Sequence, residues 1–141
     1  MDAQKLAQLS ADHMLASDQA SHSLGMELIS TGPGKASISM IIRADMVNGH
    51  DIAHGGMLFS LADTAFACAC NSYNIVNVAQ SCSINFTRPA KLGDMLLAKA
   101  TEITRGRRSG VYDVTVENGA GKLVAVFRGQ CASLDKPLVE L

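Results

Sequence analysis

The stretch "NGHDIAHGGMLFSLADTAFACAC", residues 48–70, carries two features that decide how the rest of the chain reads. From Gly55 onward its apolar residues recur at helical spacing, with Met57, Leu58, Leu61, Ala62, Ala65, Phe66 and Ala69 forming one broad stripe. The spacing predicts a helix of about residues 55–71, led in by a loop over 45–54. Into this apolar helix is set one acidic residue, Asp63. A lone carboxylate among Ala, Leu and Phe costs several kcal/mol unless something pairs with it or uses it. At the helix start stand Gly55 and Gly56, which let another group approach the backbone closely. The first helical turn offers unpaired N–H donors and the positive end of the helix dipole. Such a place suits an anion, or a carbonyl oxygen that becomes one in a transition state.

On the helix, Gly56, Phe59, Ser60, Asp63 and Ala67 share a face opposite the stripe. Its small residues leave room for a ligand beside the carboxylate. Gly55 and Asp63 are eight positions apart, roughly 12 Å at 1.5 Å per residue. A reacting carbonyl has to lie about 3 Å from both its oxyanion donor and its attacking or water-activating group. One copy of the helix cannot bring both to one carbonyl, whereas two antiparallel copies about a two-fold axis can, with two equivalent sites per dimer. The pair therefore predicts an obligate oligomer.

Around this helix the chain reads as extended. Residues 3 to about 20 form an expected amphipathic helix, with Leu6, Leu9, Met14 and Leu15 on one face. Two strands flank the turn signal Gly32-Pro33-Gly34, the second alternating Ala36, Ile38, Met40 and Ile42 against Lys35, Ser37, Ser39 and Ile41. After Asn71, "IVNVAQSCSINFT", "MLLAKATEITRGRR", "GVYDVTVEN" and "LVAVFRGQCASL" read as antiparallel strands, the last two joined by a turn at "NGAGK". An antiparallel sheet with one apolar face must cover it, and the central helix is the available cover. The expected fold is α+β: a curved antiparallel sheet wrapped around one long helix, the hotdog arrangement, in a single domain over residues 1–141 with its core at about 24–134.

A net charge of −1 gives no electrostatic reason to expect nucleic acid or a membrane surface as partner. Four Phe, two Tyr and no Trp also argue against a base-stacking surface. No span of about 20 apolar residues and no signal-like segment is present, so a cytoplasmic protein is expected. Cys68, Cys70, Cys82 and Cys131 form no CxxC pair and are expected as free thiols, without metal or cofactor. His50, His54 and Asp51 match no standard metal spacing.

Three further groups have both a structural and a functional reading. Asn48 is either a turn residue or an amide that holds a water or orients a catalytic partner. His54 caps the helix or sets the loop. Arg88, Lys91, Arg105, Arg107 and Arg108 are either solvated hairpin residues or a clamp for phosphates, which guanidinium forks bind in pairs. A phosphate clamp would suit a coenzyme A thioester.

"NGHDIAHGGMLFSLADTAFACACNS" followed by "INFTRPAKLGD" resembles the hotdog-fold acyl-CoA thioesterases, over about Leu24 to Ala132. The resemblance implies Asp63 as the catalytic carboxylate, nucleophile or general base, and the Gly55 N–H as the donor polarising the thioester carbonyl. It implies Asn48 and His54 as groups orienting water, carbonyl or loop, Gly56 and the arginines as substrate-binding, no metal, and a homotetramer built as a dimer of hotdog dimers. Asp rather than Glu at position 63 is similar to the branch acting on phenylacetyl-CoA and its ring-hydroxylated relatives. Ala67 departs from relatives with Thr there, leaving Ser60, Gln80, Ser81 and Ser83 as candidates to assist Asp63. A hydratase or dehydratase on acyl thioesters, and a non-catalytic acyl-CoA binding protein, are the competing readings of the same fold.

Overall fold

The computed structural model describes residues 1–141. Two helices, α1 (Ala3–Ala16) and α2 (Gln19–Ser23), precede the hairpin β1 (Glu27–Gly32) and β2 (Lys35–Ile41). After a 3-10 turn at Ala44–Met46 comes the central helix α3 (Gly55–Cys70). Four strands follow: β3 (Ile75–Phe86), β4 (Met95–Arg105), β5 (Ser109–Glu117) and β6 (Leu123–Pro137). They form one six-stranded antiparallel sheet of order β1-β2-β4-β5-β6-β3, with α3 packed chiefly on β2, β4 and β5. This is the hotdog arrangement expected from the sequence.

Period-two alternation sets the face that meets the helix. Ile38 and Met40 on β2, Leu96, Ala98 and Ala100 on β4, and Tyr112, Val114 and Val116 on β5 are all buried. From α3 they meet Leu58, Leu61, Ala62, Ala65, Phe66 and Ala69, also buried. Register keeps small residues in line: Ala36 pairs with Ala100 and Ile38 with Ala98, so the helix can approach closely. At Gly129 on β6 the Phe66 ring of α3 lies directly on the backbone. A Cβ there would lie 2.8 Å from the ring of Phe66, which is itself 1% exposed and has nowhere to go. Gly129→Ala is expected to cost about 1–3 kcal/mol as an overpacked core site. Chemical denaturation measures it, with an unchanged midpoint as the contrary result.

The C-terminal end of α3 is tied down by polar contacts. Ser72 donates from its hydroxyl to Ala69 at 2.7 Å and accepts the Gly34 amide at 2.8 Å, docking the β1–β2 turn on the helix end. Gly34 sits at φ 70°, the conformation that its turn requires. Glu102 accepts from the phenols of Tyr73 at 2.8 Å and Tyr112 at 3.0 Å. Burial, followed by the Glu102 charge and hydrogen bond, raises the Tyr112 phenol well above its ordinary value. Cys68, Cys70 and Cys131 are buried free thiols, and Cys82 is half-buried. No helix is long and apolar enough to cross a membrane.

Two expectations need correction. The N-terminal helix does not run from 3 to 20: α1 ends at Ala16, and Asp18 starts a second helix by accepting the amides of Ala20 at 3.1 Å and Ser21 at 3.3 Å. A carboxylate that caps a new helix competes with continuation of the old one. Phe59 is not on the open face of α3. Half-buried, its ring packs edge-on against Phe127, with centroids 5.4 Å apart, and rests against the core.

Candidate active site

The loop before α3 is held by its own backbone. Asn48 Oδ1 accepts the amides of His50 at 2.9 Å and Ile52 at 3.2 Å, and Asp51 takes φ 59° to close the turn. Ala53 donates to Ala90 at 2.8 Å and His54 to the Met46 carbonyl at 2.9 Å. Asn48 thus acts in this chain as a turn residue, with its carboxamide oxygen engaged. The His54 side chain makes no capping hydrogen bond, so the cap expected of it is absent. What His54 contributes is backbone: its carbonyl accepts the Met57 amide at 2.9 Å, and its own amide fixes the entry to the helix.

Within the chain, no carbonyl or side chain accepts from the amides of Gly55 or Gly56. They form the donor end expected of a helix start. Gly55 is glycine for a packing reason: a Cβ there would lie 2.7 Å from Cζ of Phe86. Around it lies a cleft of about 430 Å³ whose walls include Ile52, Leu58, Phe86, Arg88 and Pro89. An apolar slot with the free Gly55 amide and one guanidinium at its rim can hold a polar carbonyl and an anionic group together.

Asp63 lies two turns further along α3, half-buried, and accepts no hydrogen bond from any group of the chain. Burial raises its pKa above the ordinary carboxylate value of 3.8, and the negative charge of Asp18 raises it further. Its own charge in turn adds to the burial that raises the Cys82 thiol. The carboxylate faces a second pocket, of about 330 Å³, which it shares with Met14, Asp18, Phe66, Ala67 and Asn77 among others. Because the pKa is raised, a reaction that needs ionised Asp63 weakens as pH falls through a value above 3.8. The acid limb of log kcat/KM is therefore expected above the ordinary carboxylate range and is to be absent from any residual activity of Asp63→Asn. A limb at or below the ordinary value would contradict the environment described.

The arginines do not form one clamp within the chain. Arg88 is at the cleft by the N-terminus of α3, while Arg105 and Arg107 line a small recess with Cys70, the last residue of the same helix. The Arg105 guanidinium lies 3.7 Å over the Tyr73 ring, and Arg107 pairs with Asp135 at 3.8 Å in an exposed contact. Arg108 offers its carbonyl to the Ser133 amide at 2.9 Å. The proposed helpers of Asp63 are also dispersed. Ser60 donates back to the Gly56 carbonyl at 2.9 Å, and Ser83 lies in a groove with Asp113 and Arg128 on the outer sheet face. The alternation of β3 puts Ser81 on that outer face too, opposite Gln130. Sequence spacing missed Met14, Asp18 and Cys82, which reach Asp63 only through tertiary packing.

Comparison with known proteins agrees with this architecture. The model of the thioesterase superfamily matches residues 50–125. The acyl-coenzyme A thioesterase PaaI of Escherichia coli K12 is 47% identical over 120 residues, covering 85% of this chain and 86% of that one. The solved structure of the E. coli PaaI protein, from the phenylacetic acid degradation operon, superposes with a TM-score of 0.95 at 42% identity, over 96% of this chain and 99% of that one. A hypothetical thioesterase of Streptococcus pneumoniae TIGR4, solved with coenzyme A, gives a TM-score of 0.77 at 26% identity, over 79% and 88% of the two chains. The chain belongs to the thioesterase superfamily, as an enzyme of the hotdog fold similar to E. coli PaaI.

Proposed function

We propose that this enzyme hydrolyses acyl-CoA thioesters, arylacetyl esters such as phenylacetyl-CoA and its ring-hydroxylated relatives among them, at sites shared between two subunits. The observation that carries the reading is the separation of an unpartnered carboxylate and unpartnered amides along one rigid helix. Asp63 and the Gly55 N–H are roughly 12 Å apart by helical rise, too far to serve one carbonyl from one chain. In an antiparallel pair of subunits, Asp63 of each faces Gly55 of the partner subunit. The exposed edge of the sheet favours such a pair. β3 is an edge strand of 12 residues containing neither a charged residue nor a proline, the kind of edge that proteins leave only where something covers it. The complete assembly is a dimer of such dimers.

In each site the thioester oxygen accepts from the helix N-terminus, which stabilises the charge that develops there. Ionised Asp63 either attacks the carbonyl carbon or takes a proton from the water that does. The C–S bond then breaks and the CoA sulfur leaves with the electron pair; on the direct-attack route this leaves an acyl–Asp63 anhydride, which a water then hydrolyses to free acid and carboxylate. A thiol of ordinary pKa, about 8.5, departs as thiolate near neutral pH without a dedicated acid, which fits a site with no general acid placed opposite Asp63. Asn48 and His54 hold the loop that aims the amides, and Arg88 is placed to meet a phosphate group at the mouth of the cleft. The acyl choice is supported by the similarity to E. coli PaaI and the operon it comes from, and CoA by the S. pneumoniae relative.

The test is release of free thiol from phenylacetyl-CoA, hydroxyphenylacetyl-CoA, benzoyl-CoA and straight-chain acyl-CoAs by the purified protein. Preferential turnover of the phenylacetyl esters supports the full reading, whereas cleavage of none of them contradicts it. Single turnover in oxygen-18 water tests the direct route, since hydrolysis of the anhydride at the Asp63 carboxyl carbon leaves label in that carboxylate, whereas general-base attack of water puts all of it in the product acid.

A further inference from the structure

The pocket beside Asp63 extends away from the amides. Its residues from α3 and its cap, Asp63, Phe66, Ala67, Cys70 and the C-cap Asn71, follow one another at helical spacing toward the C-terminus, over roughly 12 Å. A thioester whose carbonyl sits at Asp63 can therefore send its acyl group along this half of the helix while CoA leaves by another way. At about 330 Å³ the pocket is around twice the ~150 Å³ that accepts a benzene ring. It has room for one ring and its substituents.

The polar character of this wall is one-sided. Asn71 donates to the Ala67 carbonyl at 2.8 Å and to the Asn77 carbonyl at 3.2 Å. Asn77 donates from its side chain to the carbonyls of Cys70 and Ile75, each at 3.1 Å. Both side-chain amide donors are thus engaged, and the Asn71 carboxamide oxygen accepts the Asn77 backbone amide at 2.8 Å. The strongest acceptor beyond Asp63 itself is Asp18, contributed from the junction of α1 and α2. One of its oxygens, Oδ1, caps α2, while Oδ2 accepts from no group of the chain.

We infer that Asp18 is a specificity-determining residue of the acyl pocket: its free carboxylate oxygen accepts a hydrogen bond from a hydroxyl on the distal part of the acyl group, favouring acyl groups that carry one. The inference rests on the proposed thioesterase reading. The free oxygen discriminates because an acyl group without a donor would cover it and leave it unpaired.

Asp18→Asn tests it without removing the cap, since Asn caps a helix about as well as Asp. The quantity to measure is the ratio of kcat/KM for 3- or 4-hydroxyphenylacetyl-CoA over that for phenylacetyl-CoA, in wild type and variant. A hydrogen bond to a charged group is worth enough that the larger of the two ratios is expected to fall about tenfold in the variant. A purely structural loss would lower both substrates together and leave the ratio where it was, which overturns the inference while leaving the thioesterase reading intact. If wild type cleaves no thioester, the reading beneath the inference fails and takes it along.

Discussion

Replacing Asp63 by Asn is expected to lower kcat for thioester cleavage by about 10²-fold or more, the contribution of a positioned base or nucleophile. The substitution is nearly isosteric, so the pocket keeps its shape. Its effect on stability runs the other way. The pKa of Asp63 is raised in the folded chain by burial and by Asp18, so the folded state binds its proton more tightly than the unfolded state does. Stability from this group is thus present at low pH and lost as pH rises from the unfolded value toward the folded one. At neutral pH the charged carboxylate destabilises the fold. Asp63→Asn should therefore be at least as stable as wild type at pH 7, while nearly inactive. A variant that loses activity only because it melts, seen as a fall in Tm, would contradict this account, as would one that keeps its rate.

Gly55→Ala is expected to fall in kcat/KM by on the order of 10²-fold, the cost of misplacing one oxyanion donor. The helix itself tolerates the change, because Ala is a better helix former than Gly. The new Cβ, however, would sit 2.7 Å from Cζ of Phe86. Phe86 is 53% exposed, so its ring can swing aside, and the cost falls on the cleft rather than on the core. Circular dichroism and Tm should match wild type while activity drops. Unchanged kinetics in Gly55→Ala would contradict the prediction, showing that a Cβ against Phe86 leaves the cleft and its donor where they were.

The contrast between Gly55 and Gly129 illustrates what sequence could and could not convey. The paired glycines of His54-Gly55-Gly56 announced themselves by position at a helix start, and Asp63 by standing against the apolar pattern around it. Both readings are local, and helical rise alone gave their separation. The strands were legible for the same reason, since alternation such as Ala36, Ile38, Met40 is a property of neighbours. What was illegible depends on contacts between distant segments. The importance of Gly129 comes from the Phe66 ring lying on it across 63 positions of sequence. Phe59 shares the spacing of the open face, but the nearby Phe127 ring draws it against the core. The arginines sit close together in sequence or beside a turn signal, but the length of α3 separates Arg88 from the hairpin group. Asp18 was read as the interior of one long helix, and only packing of the α1–α2 junction against α3 makes it part of the pocket.

The central claim is that Asp63 and the Gly55 amide acting on one carbonyl come from different subunits. It is tested most directly by pairing an Asp63→Asn subunit with a Gly55→Ala subunit, differently tagged and co-purified as mixed dimers. If the site is shared, each mixed dimer holds one site with both groups intact and one with both altered. About half of the wild-type activity per dimer should then return, although each variant alone is nearly inactive. If both groups act within one chain, every site in the mixed dimer carries one defect, and activity that stays at the level of the parent variants would contradict the account.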